Sequence, residues 1–210
     1  MNSLIAAPVM TDEDALRADI YALLAALCRR HPSPELLDFL VSMEVDAHSA
    51  NSMTKAWEFL RLASERAESD AIEDEYFTLF IGITQGELTP FASWYLTGSL
   101  MEAPLIELRN DLDLLGFARQ QEVKEPEDHI SVLLEVMSEL IQQGASRERQ
   151  AVFYQRHIDS WAKQLFADMT QASSAVFYSA VGMLGEAFLM IESTHLQKRM
   201  DSVQNVHLRG

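Results

Sequence analysis

The most constraining feature of the sequence is an apolar stripe at strict helical spacing that begins at residue 130. Its six members follow the i, i+3, i+4, i+7 pattern and are Ile130, Leu133, Leu134, Met137, Leu140 and Ile141. This spacing places all six side chains on one face of an α-helix, and a face this apolar is buried in a globular protein. Gly144 follows, as is typical just past a helix end. The stripe predicts a core helix.

Similar stripes cover most of the chain. A capping box, Thr11 with Asp14, opens the first helix, and Pro32 ends it. Further helices are predicted after Ser33, over 52–69, up to Gly82, from Pro104 to Leu115, from Ser146 to Leu165, and from Val176 onward. Residues predicted to face inward in these helices include Leu16, Phe59, Val152, Ile158, Trp161, Val176 and Ile191. Because no alternating β-branched runs bounded by turn dipeptides occur, we expect an all-α, compact multi-helix bundle.

The apolar periodicity lapses between Phe117 and Lys124 and resumes after Pro126. This lapse predicts two helical halves joined by a polar segment. We therefore divide the chain into an N-terminal helical part (1–118), a connector or hinge (119–126) and a C-terminal helical part (127–210). A connector of this length permits either a monomer or a dimer formed by exchange of halves.

The charge of the chain restricts its partners. The formal net charge is −16, from 32 acidic and 16 basic residues, which argues against binding to nucleic acid and favours a basic peptide. No apolar run of about 20 residues occurs, so no stable membrane insertion is expected. Cys28 is the only cysteine, which excludes an intramolecular disulfide and indicates a reducing compartment. We expect a cytoplasmic protein.

A charged turn, Lys124 to Ile130, leads into the core helix. Pro126 suits the first turn of a helix, and Glu127 and Asp128 would then lie in that turn, where the helix dipole favours negative charge. His129 opposes the same dipole when protonated, so it is a candidate binding residue. The alternative is an ordinary helix start with a hydrogen-bonded or solvent-facing histidine.

Standard catalytic and metal-binding arrangements are missing from the sequence. It has no Gly-x-Ser-x-Gly and no His-Glu-x-x-His. Glu192-x-x-His195 is a single Glu-x-x-His, whereas a di-iron bundle uses two. We therefore expect no catalytic residue, no metal site and no cofactor. An aromatic cluster, Pro90 to Tyr95, lies near a turn and could line a groove or anchor the loop on the core.

Four short patterns follow one another between residues 73 and 141. They are Glu75-Tyr76-x-x-Leu79-Phe80-x-Gly82, Pro90-x-x-Ser93-x-Tyr95, Leu108-Arg109 with Leu115-Gly116, and Glu125-Pro126-x-Asp128-His129. In this order they resemble the TorD/DmsD family of redox-enzyme maturation chaperones, which are all-α. Trp94 stands where that family commonly has a smaller aliphatic residue, and Phe91 stands where tyrosine or tryptophan is usual.

The resemblance implies a cytoplasmic chaperone rather than an enzyme. Such a chaperone binds the precursor of a molybdenum-cofactor oxidoreductase, through its twin-arginine signal peptide, its mature part or both, and assists cofactor insertion before export. The client-binding residues that the resemblance implies are Pro90, Ser93, Trp94, Tyr95, Glu125, Pro126, Asp128 and His129. The alternative is a helical enzyme, either a nucleotide hydrolase or a metal-dependent protein, that uses the region of Asp128 and His129.

Overall fold

The computed structural model describes residues 10–45, 51–118 and 125–207, with side chains as far as Gln197. These ranges contain ten α-helices, one π-helical turn and no strand, which confirms the predicted all-α fold. The helices are α1 (Asp12–Arg29), α2 (Pro34–Ser42), α3 (Ser52–Arg66), α4 (Ser69–Tyr76), α5 (Ala92–Thr97), α6 (Ala103–Leu115), α7 (Ile130–Gln142), α8 (Arg147–His157), α9 (Ala162–Gln171) and α10 (Phe177–His207), and the π-helical turn is Phe77–Ile81. Residues 119–124 of the predicted connector lie outside the described residues.

Local capping chemistry sets many of the helix ends where the sequence predicts them. The Thr11 hydroxyl accepts a hydrogen bond from the Asp14 backbone N–H at 3.1 Å, and Ser33 caps α2 in the same way. Gly82 and Gly116 end their helices with φ of 61° and 83°, values that glycine adopts without steric cost.

Two helices, α1 and α10, make the main packing contacts of the core. α1 packs along α7, and α10 packs against α9, α3 and α8. Residues from both predicted halves, such as Leu24 and Leu134, are fully buried in one hydrophobic cluster. The division of the chain at the connector stays a prediction.

α10 approaches α9 closely because two of its residues are glycines. A Cβ atom on Gly182 would lie 2.5 Å from the Thr170 hydroxyl oxygen, and one on Gly185 would overlap the Phe166 ring. A separation of 2.5 Å is far below van der Waals contact, and an overlap with the ring is closer still. The two glycines therefore let the helix axes come nearer than any larger side chain would allow.

The start of α10 is capped by a distant side chain. The Glu75 carboxylate accepts hydrogen bonds from the backbone N–H groups of Val176, Phe177 and Tyr178 at 2.8, 3.0 and 2.8 Å. These are donors that the first turn of a helix leaves without an intrahelical partner. A negative charge at this end also complements the helix dipole.

A buried ion pair joins α1 to α10. Nε and Nη2 of Arg17 each donate to the Glu192 carboxylate at 2.7 Å, and the Tyr21 hydroxyl donates to the same carboxylate at 3.0 Å. Arg17 and Glu192 are almost fully buried. The Glu192-x-x-His195 pattern thus contributes its glutamate to a structural contact between helices.

Two predicted helix boundaries are wrong. α7 begins at Ile130 rather than at Pro126, so Glu127 and Asp128 precede the helix instead of forming its first turn. The helix predicted from Ser146 to Leu165 is two helices, interrupted between His157 and Ala162. At this break the Trp161 indole N–H donates to the His157 carbonyl at 2.7 Å and replaces the bond that a continuous helix would make.

Several apolar residues that were predicted to face inward are exposed. They are Leu16, Phe59, Val152, Val176 and Ile191, with Val176 the most exposed at 80%. Periodicity identifies the apolar side of a helix, but the width of the buried face depends on which neighbour packs there. None of the helices in the described part of the chain combines the length and apolar character that a bilayer crossing requires.

Candidate functional site

Two segments that are distant in sequence cross just before α7. Phe91 and His129 form an isolated antiparallel bridge. The Ile130 N–H donates to the Pro90 carbonyl and the Ala92 N–H donates to the Asp128 carbonyl, both at 2.9 Å. We call residues 90–93 together with 126–131 the junction. The pairing holds His129 in an extended backbone. Glu127 and Asp128 form a turn that the His129 N–H closes by donating to the Pro126 carbonyl at 3.2 Å, so the helix does not start at Pro126.

Asp128 links the junction to α5. Its Oδ2 atom accepts a hydrogen bond from the Ser93 backbone N–H at 2.9 Å, and both residues are buried. Phe91, at the N-cap position of α5, has no side chain that could accept this bond. Asp128 therefore supplies the missing cap from another part of the chain, and its charge complements the dipole of α5.

His129 is the N-cap of α7 and is 3% exposed. Its Nδ1 atom accepts from the Ser131 backbone N–H at 3.2 Å and lies 2.7 Å from the Ser131 hydroxyl. Burial, together with the positive charge of Arg29, lowers the pKa of His129 to about 4. The imidazole is thus neutral near pH 7 and occupies a structural position, which agrees with the hydrogen-bonded alternative considered for it above.

The two glutamates of the charged turn face a groove. Glu127 accepts from Nε and Nη2 of Arg109 at 3.0 and 2.8 Å. Burial raises the pKa of the Glu125 carboxyl, and the nearby Arg29 partly offsets this rise. Glu125 keeps 44% of its side chain exposed, so it can reach a ligand.

The groove runs between α1, α6 and α7 and encloses about 710 Å³. We call it the acidic groove. Its apolar floor contains Ala22, Ala26, Leu112, Val132 and Val136, and its walls carry the carboxylates of Asp113, Glu125, Glu127, Glu135 and Glu139. Two arginines also line it, of which Arg29 pairs with Glu135 at 2.5 Å. The walls therefore carry five negative and two positive charges above an apolar surface.

A smaller cleft, the Trp94 cleft, lies between residues 87–89, α5 and α9 and encloses about 340 Å³. Trp94 is 39% exposed at this cleft. The Tyr95 hydroxyl donates to the Asp168 carboxylate at 2.9 Å, and its ring packs against Trp161. The Tyr95 side chain thus anchors α5 on the C-terminal helices.

The eight predicted client-binding residues do not share one surface. Pro90, Ser93, Asp128 and His129 are buried in the junction, and Pro126 is half-buried beside them. Glu125 lines the acidic groove, whereas Trp94 and Tyr95 line the Trp94 cleft. Sequence reasoning missed Asp113, Glu135 and Glu139. Glu135 and Glu139 could have been identified from the sequence, because they lie four residues apart on α7, beside the apolar stripe.

Comparison with known proteins gives one family. The model of the family described as nitrate reductase delta subunit matches residues 46–167. A protein named "Chaperone protein TorD" from Vibrio vulnificus (strain YJ016) is 26% identical, over 86% of this chain and 94% of the relative. The protein of the same name from Shewanella piezotolerans is 24% identical, over 82% of this chain and 88% of the relative.

A solved structure has the same fold. It is described as that of a redox enzyme maturation protein from Archaeoglobus fulgidus, and it matches with a TM-score of 0.55 at 15% identity, over 90% of this chain and 99% of that one. The matched family region contains the junction and α3 to α8. Because the family model spans more than half of the chain, the chain belongs to the nitrate reductase delta subunit family, which confirms its resemblance to the TorD/DmsD proteins.

Proposed function

We propose that this protein is a cytoplasmic chaperone that prepares the precursor of a molybdenum-cofactor oxidoreductase for cofactor insertion before export. We further propose that the acidic groove holds the twin-arginine signal peptide of that precursor. The first part is supported by relatives that are named as TorD chaperones. The second part is supported by the chemistry of the groove.

The acidic groove carries the proposal. A twin-arginine signal peptide presents two guanidinium groups followed by an apolar stretch. Guanidinium groups pair best with carboxylates, often through two parallel hydrogen bonds, and the apolar stretch needs an apolar surface. The groove offers five carboxylates along an apolar floor.

The protein's own arginines illustrate how the groove accepts guanidinium groups. Arg109 directs two of its nitrogens at one oxygen of Glu127, and Arg29 pairs with Glu135. Among the described residues, Asp113 and Glu139 form no ion pair with a cation and have exposed side chains. The arginines of a peptide can therefore pair with these two carboxylates without breaking an internal ion pair, and only an exposed hydrogen bond from Gln143 Nε2 to Glu139 at 2.7 Å competes.

The buried residues of the junction have a positioning role in this proposal. Asp128 caps α5, and His129 caps α7, the helix that carries Glu135 and Glu139. Glu125 lies directly before the junction and lines the groove. The junction thus fixes the direction in which the groove's carboxylates point.

The test is a binding titration with a fluorescent twin-arginine signal peptide and a copy in which both arginines are glutamines. Wild-type protein should bind the arginine peptide at least about tenfold more tightly, since a charge-assisted hydrogen bond contributes about 1.5–3 kcal/mol. The double variant Asp113→Asn/Glu139→Gln should lose most of that difference. Glu58→Gln, on the exposed face of α3, is the matched control. Equal affinity of wild type and double variant would contradict the assignment of the groove.

No observation favours the alternative of an enzyme that uses Asp128 and His129. Both side chains are buried, and His129 Nδ1 already accepts a hydrogen bond from Ser131. In the described part of the chain, no three potential metal ligands come together. A nucleotide-binding titration combined with metal analysis still tests this alternative directly.

A further inference from the structure

A second groove lies between α3, α4 and the start of α10. It encloses about 800 Å³ and shares no lining residue with the acidic groove. We call it the α3–α10 groove. Apolar side chains dominate it, among them Phe59, Leu62, Ala63, Val176, Phe177 and Met183. A volume of about 800 Å³ is large enough to hold several apolar side chains.

Apolar residues lie open to solvent at this groove. Phe59, on the apolar stripe of α3, is 51% exposed, and Val176, which directly precedes α10, is 80% exposed. Thr78 of the π-helical turn after α4 also lines the groove. Exposed apolar surface that is concentrated at a groove marks an interaction site more often than scattered residues do.

The charges at the groove are mainly negative. Three carboxylates line it, those of Glu68, Asp74 and Glu75, against the single guanidinium of Arg66. Glu75 is occupied with the cap of α10, so Glu68 and Asp74 are the carboxylates that can meet a partner. An acidic partner would be repelled, whereas lysine or arginine beside an apolar face would be attracted.

The secondary structure of the groove restricts the shape of the occupant. All of its walls are helices or helix ends, and the described residues contain no strand whose edge could pair with an extended peptide. A groove of this kind suits an amphipathic helix that inserts apolar residues at i, i+3, i+4 and i+7 spacing.

We propose that the α3–α10 groove is a docking site for an amphipathic helix of a partner protein, with lysine or arginine flanking its apolar face. This site is separate from the acidic groove and does not depend on the signal-peptide assignment. Phe59 and Val176 contact the apolar face of the helix. Glu68 and Asp74 meet its basic flanks.

The probe is a fluorescent 18-residue peptide of leucine and lysine only, with leucine at helical spacing, and a scrambled peptide of the same composition. Binding of each peptide is measured by fluorescence anisotropy in about 0.15 M salt, which screens the long-range attraction between the basic peptides and the acidic protein. The variants are Phe59→Ser and Ala71→Arg, since Ala71 is an exposed lining residue of α4. Phe39→Ser, at an exposed phenylalanine of α2, and Thr194→Arg, at an exposed site of α10, are the matched controls.

Wild-type protein should bind the amphipathic peptide at least about tenfold more tightly than the scrambled one. Each groove variant should reduce that affinity about fivefold or more, while the matched controls leave it unchanged. Equal binding of the two peptides, or no effect of Ala71→Arg, would overturn the proposal. An excess of twin-arginine signal peptide should leave the probe bound, and displacement would overturn the proposal by showing that the probe binds in the acidic groove. Light scattering that detects a wild-type dimer abolished by Ala71→Arg would assign the groove to a second copy instead.

Discussion

The Asp128 carboxylate caps a helix that begins 36 residues earlier in the chain, through a 2.9 Å hydrogen bond from the Ser93 N–H. The bond is fully buried. It fixes α5, with Trp94 and Tyr95, relative to α7, with Glu135 and Glu139. Together with the backbone hydrogen bonds of the junction, this contact holds the Trp94 cleft and the acidic groove in a defined relative position.

Replacement of Asp128 should therefore affect stability. Asp128→Ala leaves the buried Ser93 N–H without its acceptor and should lower the free energy of unfolding by about 2–3 kcal/mol. For a chain of this size that corresponds to a fall in Tm of roughly 4–12 °C. Asp128→Asn keeps an acceptor oxygen and should cost about 1 kcal/mol. Thermal unfolding measures the Tm of both variants. A Tm for Asp128→Ala equal to that of wild type would contradict the capping role of Asp128.

The buried His129 should make stability depend on pH. Its folded pKa of about 4 lies below the value near 6.5 of an unfolded histidine. Between these values the unfolded chain binds a proton that the folded chain does not, so stability rises with pH. The contribution is complete above about pH 6.5 and is lost as pH falls to 4, by about 3 kcal/mol at most.

His129→Asn provides the comparison for this pH effect. Asparagine keeps an acceptor at the N-cap of α7 but does not titrate. Urea unfolding of both proteins between pH 4.5 and 7.5 should show a smaller pH slope for the variant. Parallel curves would mean that His129 is protonated equally in the folded and unfolded chains.

The ion pair of Arg17 and Glu192 should be costly to break on one side. Glu192→Gln removes the buried counter-charge of the Arg17 guanidinium and leaves it only the Asp14 carboxylate at 2.9 Å, so it should destabilise the protein by about 3 kcal/mol. The double variant Arg17→Met/Glu192→Leu removes both charges and should recover much of that loss. Denaturant unfolding of the two variants gives the comparison. If the double variant is no more stable than Glu192→Gln, the unpaired charge is not the cause.

Arg29 should compete with the client for the acidic groove. Its guanidinium pairs with Glu135, and both side chains are 40% or more exposed, so the pair is weak and exchangeable. Arg29→Gln should raise the affinity for a twin-arginine signal peptide about two- to fivefold, because a groove carboxylate is released. The same peptide titration measures this. Weaker binding by Arg29→Gln would show that Arg29 contacts the peptide favourably.

Gly185 should resist the substitution that usually stabilises helices. Alanine has a helix propensity about 1 kcal/mol better than glycine, but a Cβ here overlaps the Phe166 ring. Overpacking typically costs about 1–3 kcal/mol, so Gly185→Ala should be destabilising overall. Thr194→Ala, at an exposed position of α10, is the control and should be neutral or slightly stabilising. Thermal unfolding distinguishes the two.

The parts of the fold that could be predicted from the sequence are those set by neighbouring residues. Thr11 caps α1 through a residue three positions away, and Gly116 ends α6 through its own backbone conformation. The stripe after residue 129 is buried as predicted, because all of its members belong to the one hydrophobic core cluster.

The start of α7 could not be predicted because it depends on contacts across the chain. Pro126, Glu127 and Asp128 have the chemistry of a first helical turn, but they form an isolated turn, because the backbone at Asp128 to Ile130 pairs with residues 90–92 instead of continuing as a helix. The same contacts bury Asp128 and His129, which the resemblance implied as binding residues. The acidic groove was missed because its carboxylates come from α6, α7 and the turn before α7, and only the fold brings them together.

The Glu75 cap also has a consequence for biosynthesis. The Glu75 carboxylate accepts hydrogen bonds from N–H groups that lie 101 to 103 residues later in the chain. At a synthesis rate of about 5–20 residues per second, the cap leaves the ribosome about 5–20 s before the helix that needs it. The helices that surround α10 are likewise made first. When α10 is synthesised, both its starting point and its packing surface are thus already present, and a nascent chain that stops before residue 176 exposes that apolar surface to the cell.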